Sequence, residues 1–202
     1  MGIVDRRKRQ KEEVRAAILS TSWQMVKSEG WQALSIRKIA EAIEYSVPVI
    51  YDHFANKEAI LFEFAKEGYR LLAAELEVAA AKHPAPEDQI RAMADAYWHF
   101  AFRNQEHYQL MFGIGMATCE VEKCMPEKAA FRDKLVAPIL TLLENKPAAT
   151  DSTSVCLKYH TLWSVMHGLV SIKMMGSSDV SDELNKIVLD DAVNGFIRNL
   201  KG

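Results

Sequence analysis

Apolar residues recur along this chain at intervals of three and four rather than two, and Gly and Pro are scarce, so the sequence reads as helical almost throughout. A first helix spans roughly Lys8 to Ser28, with Val14, Ile18, Met25 and Val26 on one face, and Gly30 is placed to end it in a left-handed conformation. Two short helices follow. Ser35 is suited to cap one over Ile36–Ile43, and Ser46 another from Val47 to about Phe54, with Pro48 tolerated in the first turn, where amides have no internal partner. Asn56 caps a long helix running to about Lys82, whose apolar face passes through Ile60, Leu61, Phe64, Leu71 and Leu72.

The pair of prolines in His83-Pro84-Ala85-Pro86 stops that helix and starts the next. The segment Pro86 to Arg103 carries Ile90, Met93, Tyr97, Trp98, Phe100 and Phe102, apolar on nearly every side, which marks a central helix. A short helix capped by Asn104 runs through Met111 and Phe112, and residues 113–126 read as loop. Glu127 to Asn145 is helical with Pro138 kinking it, and two further helices cover about Ser154 to Met175 and Ser181 to Leu200. The predicted fold class is all-α: a three-helix N-terminal domain containing a helix-turn-helix, residues 1–56 with a basic arm at about 1–11, followed by a helical bundle over 57–202.

Two short capped helices joined by a tight turn, with a third helix before them, form the pattern of a helix-turn-helix DNA reader. Ile39, Ile43, Tyr45 and Ile50 supply apolar contacts to hold the pair at a steep angle, Ala40 permits close approach, and Ser46 to Val49 protrude. The same spacing also suits an ordinary helical hairpin. Charge sharpens the reading: the 202 residues carry a formal net charge of -2, yet up to Glu58 there are 10 basic residues against 8 acidic, and 15 against 19 beyond it. The N-terminal part is therefore the better anion binder. Arg6, Arg7, Lys8, Arg9 and Lys11 are expected to follow phosphates or enter a minor groove, or to be a solvated tail.

Particular residues go beyond spacing. Ile18-Leu19 opens the run, Gly30-Trp31 and Ser35-Ile36-Arg37-Lys38-Ile39-Ala40 follow, then Ile50-Tyr51-Asp52-His53-Phe54 and Lys57-Glu58. From Ile18 to Phe64 the chain resembles the DNA-binding domain of the TetR family of bacterial transcriptional regulators. The resemblance implies that Ser35, Arg37, Tyr51, His53 and Lys57 contact DNA phosphates or brace such contacts, while Ser46, Val47, Pro48 and Val49 face the major groove. It implies in addition a homodimer on an inverted-repeat operator in double-stranded DNA, and a C-terminal domain that binds a small effector. Two positions depart from the family pattern. Glu44 stands where Gly is usual, at a turn residue that often takes a left-handed conformation, and Pro48 stands where Gly is common. With apolar Val47 and Val49 beside it, readout leans on thymine methyls and DNA shape.

Farther on, Tyr159-His160-Thr161-Leu162-Trp163-Ser164-Val165-Met166-His167-Gly168 resembles a C-terminal domain type named WHG for its Trp and His-Gly, here Trp163 and His167-Gly168. Met93, Tyr97, Phe100, Met111, Phe112, Met116, Trp163, Met166 and His167 are the candidate lining of a pocket for a largely hydrophobic effector, since Met and aromatic surfaces adapt to apolar ligands. Plain core packing accounts for the same residues equally simply. Leu189, Val193, Phe196 and Leu200 repeat at four, three and four, a seam suited to a partner helix, and the helix from Ser154 to Met175 is suited to complete a four-helix dimer interface.

Other functions find less in the sequence. There is no nucleotide loop, no Ser-His-acid context and no HExxH pair, so no enzyme is expected, and no cofactor. Cys119 and Cys124 in the loop offer a thiol- or metal-sensing alternative, but two ligands are too few for a zinc site. An activator of the same fold is a further alternative to a repressor. Three cysteines imply no disulfide framework, and the longest uncharged stretch, Tyr159 to Ile172, is too short to span a bilayer, so a cytoplasmic protein without membrane partners is expected.

Overall fold

The computed structural model describes residues 2–113, 125–144, 152–176 and 181–201. Among them the regular elements are helices: α1 (Ile3–Glu29), a 3-10 turn (Trp31–Ala33), α2 (Ile36–Ala42), α3 (Val47–Tyr51), α4 (Lys57–Ala80), α5 (Pro86–Arg103), α6 (Gln105–Phe112), α7 (Pro126–Leu143), α8 (Ser152–Met174) and α9 (Asp182–Lys201). Punctuation residues set most of these limits. Pro86 opens α5, the Asn56 side-chain oxygen accepts the Ala59 N–H at 2.8 Å at the start of α4, and Ser181 Oγ accepts the Leu184 N–H at 3.3 Å before α9.

The basic arm is not a tail. Residues 3–11 are the first turns of α1, where the Asp5 carboxylate accepts the Gly2 N–H at 3.1 Å. The charged residues there are good helix formers with no breaker among them, so the helix extends without an apolar stripe. Gly30 does end α1, but with φ 81° and ψ 159°, a region open to glycine rather than the left-handed helical one. Asn104 stands at the C-terminal end of α5, where its backbone N–H donates to the Phe100 carbonyl at 2.8 Å.

The chain divides into two compact units. One comprises the residues up to Gly68 together with α6 from Glu106; the other begins at Tyr69 and takes in α5 and α7 to α9. The first unit therefore runs beyond Asn56, because Ile60, Leu61 and Phe64 of α4 close a core made with Val14, Ile18, Val26, Leu34, Ile39, Ile50 and Phe54, and Leu110 of α6 joins it. In the second unit α5 is central, packing against α7, α8 and α9 and burying Ile90, Met93, Tyr97, Trp98 and Phe100.

That second core also corrects the expected dimer seam. Leu189, Val193, Phe196 and Leu200 are all buried within the protomer, on the face that α9 turns toward α5, α7 and α8, so they are not available to a partner. A three-four repeat reports that a helix face is buried without saying which surface buries it.

Candidate nucleic-acid interface

Ser35 and Ser46 occupy the N-cap positions of α2 and α3 with extended backbones, yet neither side chain makes a cap hydrogen bond. The turn between the helices is fixed instead by the backbone: the Glu44 N–H donates to the Glu41 carbonyl at 3.2 Å and the Tyr45 N–H to the Ala40 carbonyl at 2.9 Å. Glu44 adopts φ 58°, the left-handed conformation expected for that turn, despite its side chain. Ile39, Ala40 and Ile50 are buried and lock α2 to α3, with Ile43 packed at the edge. Tyr45 is a correction: it is 44% exposed and does not hold the pair together.

Pinned through Ile50, α3 presents Ser46 and Pro48 to solvent, while Val47 and Val49 are half-buried against the unit's core. The outward surface at the start of α3 is thus narrower than the sequence suggests. Tyr51 is 53% exposed, and Arg37 is exposed with no ion pair among the described residues. Lys38 is paired with Glu29 at 2.8 Å, so it does not neutralise Glu44. Lys57 donates through Nζ to the Gln32 carbonyl at 3.1 Å, which ties the start of α4 to the 3-10 turn.

His53 is less open to solvent than its neighbours Tyr51 and Asp52. It is half-buried, its Nδ1 is buried without a hydrogen bond among the described residues, and burial pushes its pKa below the ordinary value, with Lys11 and Arg15 adding to the effect and Asp52 opposing it. A neutral imidazole offers a phosphate no charge. Beside it, the Arg15 guanidinium lies 5.0 Å above the Phe54 ring and pairs with Glu63 at 3.1 Å, fastening α1 to α3 and α4.

Comparison with protein families matches residues 18–64 to the model for bacterial regulatory proteins of the tetR family, and residues 90–192, half of the chain, to the model for a tetracyclin repressor-like C-terminal domain. The chain belongs to the TetR family. It is thereby a ligand-responsive DNA-binding transcriptional regulator. A search among curated proteins returned no match. Among solved structures, the TetR fold is shared with a Rhodococcus protein of unknown function at 24% identity, over 93% of this chain and 95% of that one, with a TM-score of 0.72. The TetR-family regulator PfmR of Thermus thermophilus is similar at 20% identity over 90% and 97% of the two chains, TM-score 0.61. FadR of Bacillus subtilis, solved in complex with stearoyl-CoA, is similar at 12% identity over 90% and 97%, TM-score 0.68.

In this TetR-family chain the candidate effector residues do not form one cluster within one unit. Met93, Tyr97, Phe100 and Met166 are buried in the second unit, where the Tyr97 ring lies 6.3 Å from that of Phe131. Met111 and Phe112 lie on α6, which belongs with the first unit, and Met116, Cys119 and Cys124 lie outside the described residues. Trp163 and His167 are half-buried on α8 and stack at 5.2 Å with planes 8° apart; Tyr159 lies parallel to Trp163 at 6.5 Å, giving a ladder of rings at intervals of four. Burial lowers the pKa of His167. A groove of about 560 Å³ between α7 and α8 begins at that ladder, lined by apolar Val136, Leu140 and Val155 together with Lys128, Arg132 and Asp133.

Sequence reasoning named the two C-terminal helices for a dimer but missed the exposed residues on them. On α8, Leu157, Val165 and Ile172 are exposed, as is Met175 just beyond its end, and on α9 so are Leu184, Ile187 and Val188. The signal was present in outline: Leu157, Val165 and Ile172 follow one another at about two helical turns each, and Ile187 and Val188 lie three and four residues beyond Leu184, out of phase with the buried positions. Gly168 falls within the α8 stripe, and a Cβ there would meet nothing within 4 Å among the described residues. Among the described residues, no helix is long and apolar enough to cross a membrane.

Proposed function

We propose that the protein is a repressor that binds an inverted-repeat operator as a homodimer and is released by a largely hydrophobic small molecule. The observation that carries the DNA half of this reading is the start of α3, anchored by a fully buried Ile50 and bordered by the exposed Tyr51, Arg37 and uncapped Ser35 and Ser46. In this reading residues 1–56 read DNA and residues 57–202 bind the effector and dimerise. Ser46 and Pro48 meet base edges with Val47 and Val49 behind them, Tyr51, Ser35, Arg37 and Lys57 hold phosphates, and His53 keeps α3 in place.

Dimerisation is assigned to the exposed stripes of α8 and α9, Leu157, Val165, Ile172, Leu184, Ile187 and Val188, rather than to the buried seam. A glycine costs a helix interior about 1 kcal/mol, and among the described residues nothing packs over Gly168 to repay this. A facing helix would. For the effector, the apolar interior around Tyr97 and the ladder from Tyr159 to His167 support an apolar molecule with one polar end, and the shared fold holds stearoyl-CoA in FadR. Binding of such a molecule would alter the separation of the two recognition helices so that they no longer match successive half-sites.

The test is operator selection from genomic DNA followed by titration of two variants. Tyr51→Phe removes one exposed hydroxyl and should weaken binding with no loss of stability. Lys57→Ala should weaken binding to every sequence and reduce the salt slope by about one unit. Retention of full affinity by both folded variants at physiological salt would refute these contacts.

A further inference from the structure

Tyr45 lacks the packing role its sequence position suggests, and what it lines instead is a hollow of about 530 Å³ on the first unit. The opposite wall is the first part of α1: Arg6, Arg9, Gln10 and Glu13 project into it, over Val14 and Ala17. Positions 6, 9, 10 and 13 share one helix face by their three-four spacing, so continuation of the helix through the basic arm is what gathers these groups. A disordered arm would not. Among the described residues, the exposed Arg6 and Arg9 make no ion pair and the Tyr45 hydroxyl makes no hydrogen bond.

We infer that this hollow grips the DNA phosphodiester backbone beside the half-site read by α3, with Arg6 and Arg9 as the cations and Gln10 and Tyr45 as neutral donors. The inference rests on the regulator reading above and adds to it a contact outside the helix-turn-helix. Three features favour a phosphodiester. The donors are guanidiniums, a phenol and an amide, which suit phosphate oxygens. Tyr45 immediately precedes Ser46, the N-cap of α3, so whatever occupies the hollow lies beside the segment presented to bases. The single carboxylate, Glu13, leaves the lining net positive, enough for one singly charged phosphodiester and too little for a free dianion. Lys8, about half a turn around α1 from Arg6, faces away from the hollow.

Fluorescence anisotropy titrations of the full chain against its selected operator and against random duplex, over a range of salt, test this. Arg6→Gln with Arg9→Gln should lower affinity for both duplexes and flatten the log–log salt slope by about 0.9 per lost phosphate. Tyr45→Phe should weaken operator binding several-fold with the slope unchanged, whereas Lys8→Gln should leave the slope closer to wild type than the double arginine variant does. Hydroxyl-radical footprints of the double variant should lose protection flanking the half-site while keeping it within. If wild type binds the operator and the folded double variant keeps its slope and footprint, the grip is refuted while the regulator reading stands; if wild type binds no duplex, both fall. Stabilisation of wild type by millimolar inorganic phosphate, absent from the double variant and accompanied by unchanged DNA slopes, would assign the hollow to a free anion and overturn the DNA inference.

Discussion

Gly68 lies so close to Met111 that a Cβ built on the glycine would stand 2.5 Å from the Met111 Sδ and 3.0 Å from its Cγ, with the His107 Cβ at 3.2 Å. The only glycine in α4 is thus where α6 packs against it, and the same patch seats His107, whose ring lies 4.0 Å from that of Trp23 on α1. One short helix, late in the sequence, is held to the DNA-reading unit through a glycine, a methionine and a histidine.

Two effects oppose each other at Gly68. Alanine gains about 1 kcal/mol of helix propensity, while overlap with Met111 and His107 costs a rotamer change and repacking. We expect Gly68→Ala to be neutral to destabilising in the wild-type background and stabilising in Met111→Ala, a coupling above about 0.5 kcal/mol in a double-mutant cycle of urea midpoints. Additive effects would show that the glycine is not there for α6.

The glycine at position 68 is readable as a break in pattern, but the residue it serves is 43 positions away, which no local rule supplies. Where chemistry is local, the sequence spoke clearly: Pro86 set the start of α5 and Asn56 capped α4. Non-local choices stayed hidden. The α9 repeat of Leu189, Val193, Phe196 and Leu200 was visible as a buried face, while only the packed structure shows that the protomer itself buries it. Tyr45 looked apolar enough for the core, yet Ile39 and Ile50 fill the space and leave it outside.

Glu44 holds φ 58° with a Cβ that this region disfavours, at a cost of about 1 kcal/mol. Glu44→Gly should raise the melting temperature, and it should strengthen binding to random DNA by removing a negative charge beside α3. Glu44→Ala serves as the control, with the charge gone and the strain kept. If both variants melt together, strain is not what distinguishes them.

Three histidines, His53, His107 and His167, have pKa values lowered below the ordinary 6.5, in each case first by burial; at His107, Glu67 and Glu106 oppose the shift and Lys27 adds to it. The folded state therefore binds fewer protons than the unfolded chain between the lowered pKa values and about 6.5. Stability is full above that pH and is lost as pH falls through the window. Urea midpoints measured from pH 7.5 to 5 should decline, and His107→Gln should reduce the decline whatever its effect at pH 7.5. An undiminished slope in that variant would mean that His107 takes up a proton equally readily in the folded and unfolded states.

The apolar interior of the second unit also limits its ligand. Charged metabolites need compensating partners in a dry site, and Tyr97 and the ring ladder on α8 supply few. Thermal-shift screens should favour aromatic or lipid-like compounds over sugars and nucleotides, and Tyr97→Phe combined with His167→Ala should weaken that response without changing the DNA affinity of the free protein. A shift with a sugar phosphate and none with any apolar compound would reverse the assignment.

Two faces of α9 make opposite predictions for the same kind of substitution. Phe196 is packed among the protomer's own helices, so Phe196→Asp places an unpaired carboxylate in the core at a cost of several kcal/mol and should unfold the second unit. Ile187 is 62% exposed, so Ile187→Asp should leave the monomer folded, with a near-native circular dichroism spectrum and urea slope per chain. What it should remove is association: sedimentation velocity should give a monomer at concentrations where wild type is a dimer, and operator affinity should fall because a single half-site supplies only part of the contact energy. Val165→Asp, on the facing stripe of α8, should act in the same way. A folded dimer from Ile187→Asp, together with a folded monomer from Phe196→Asp, would return the interface to the buried seam and refute the assignment to the exposed stripes.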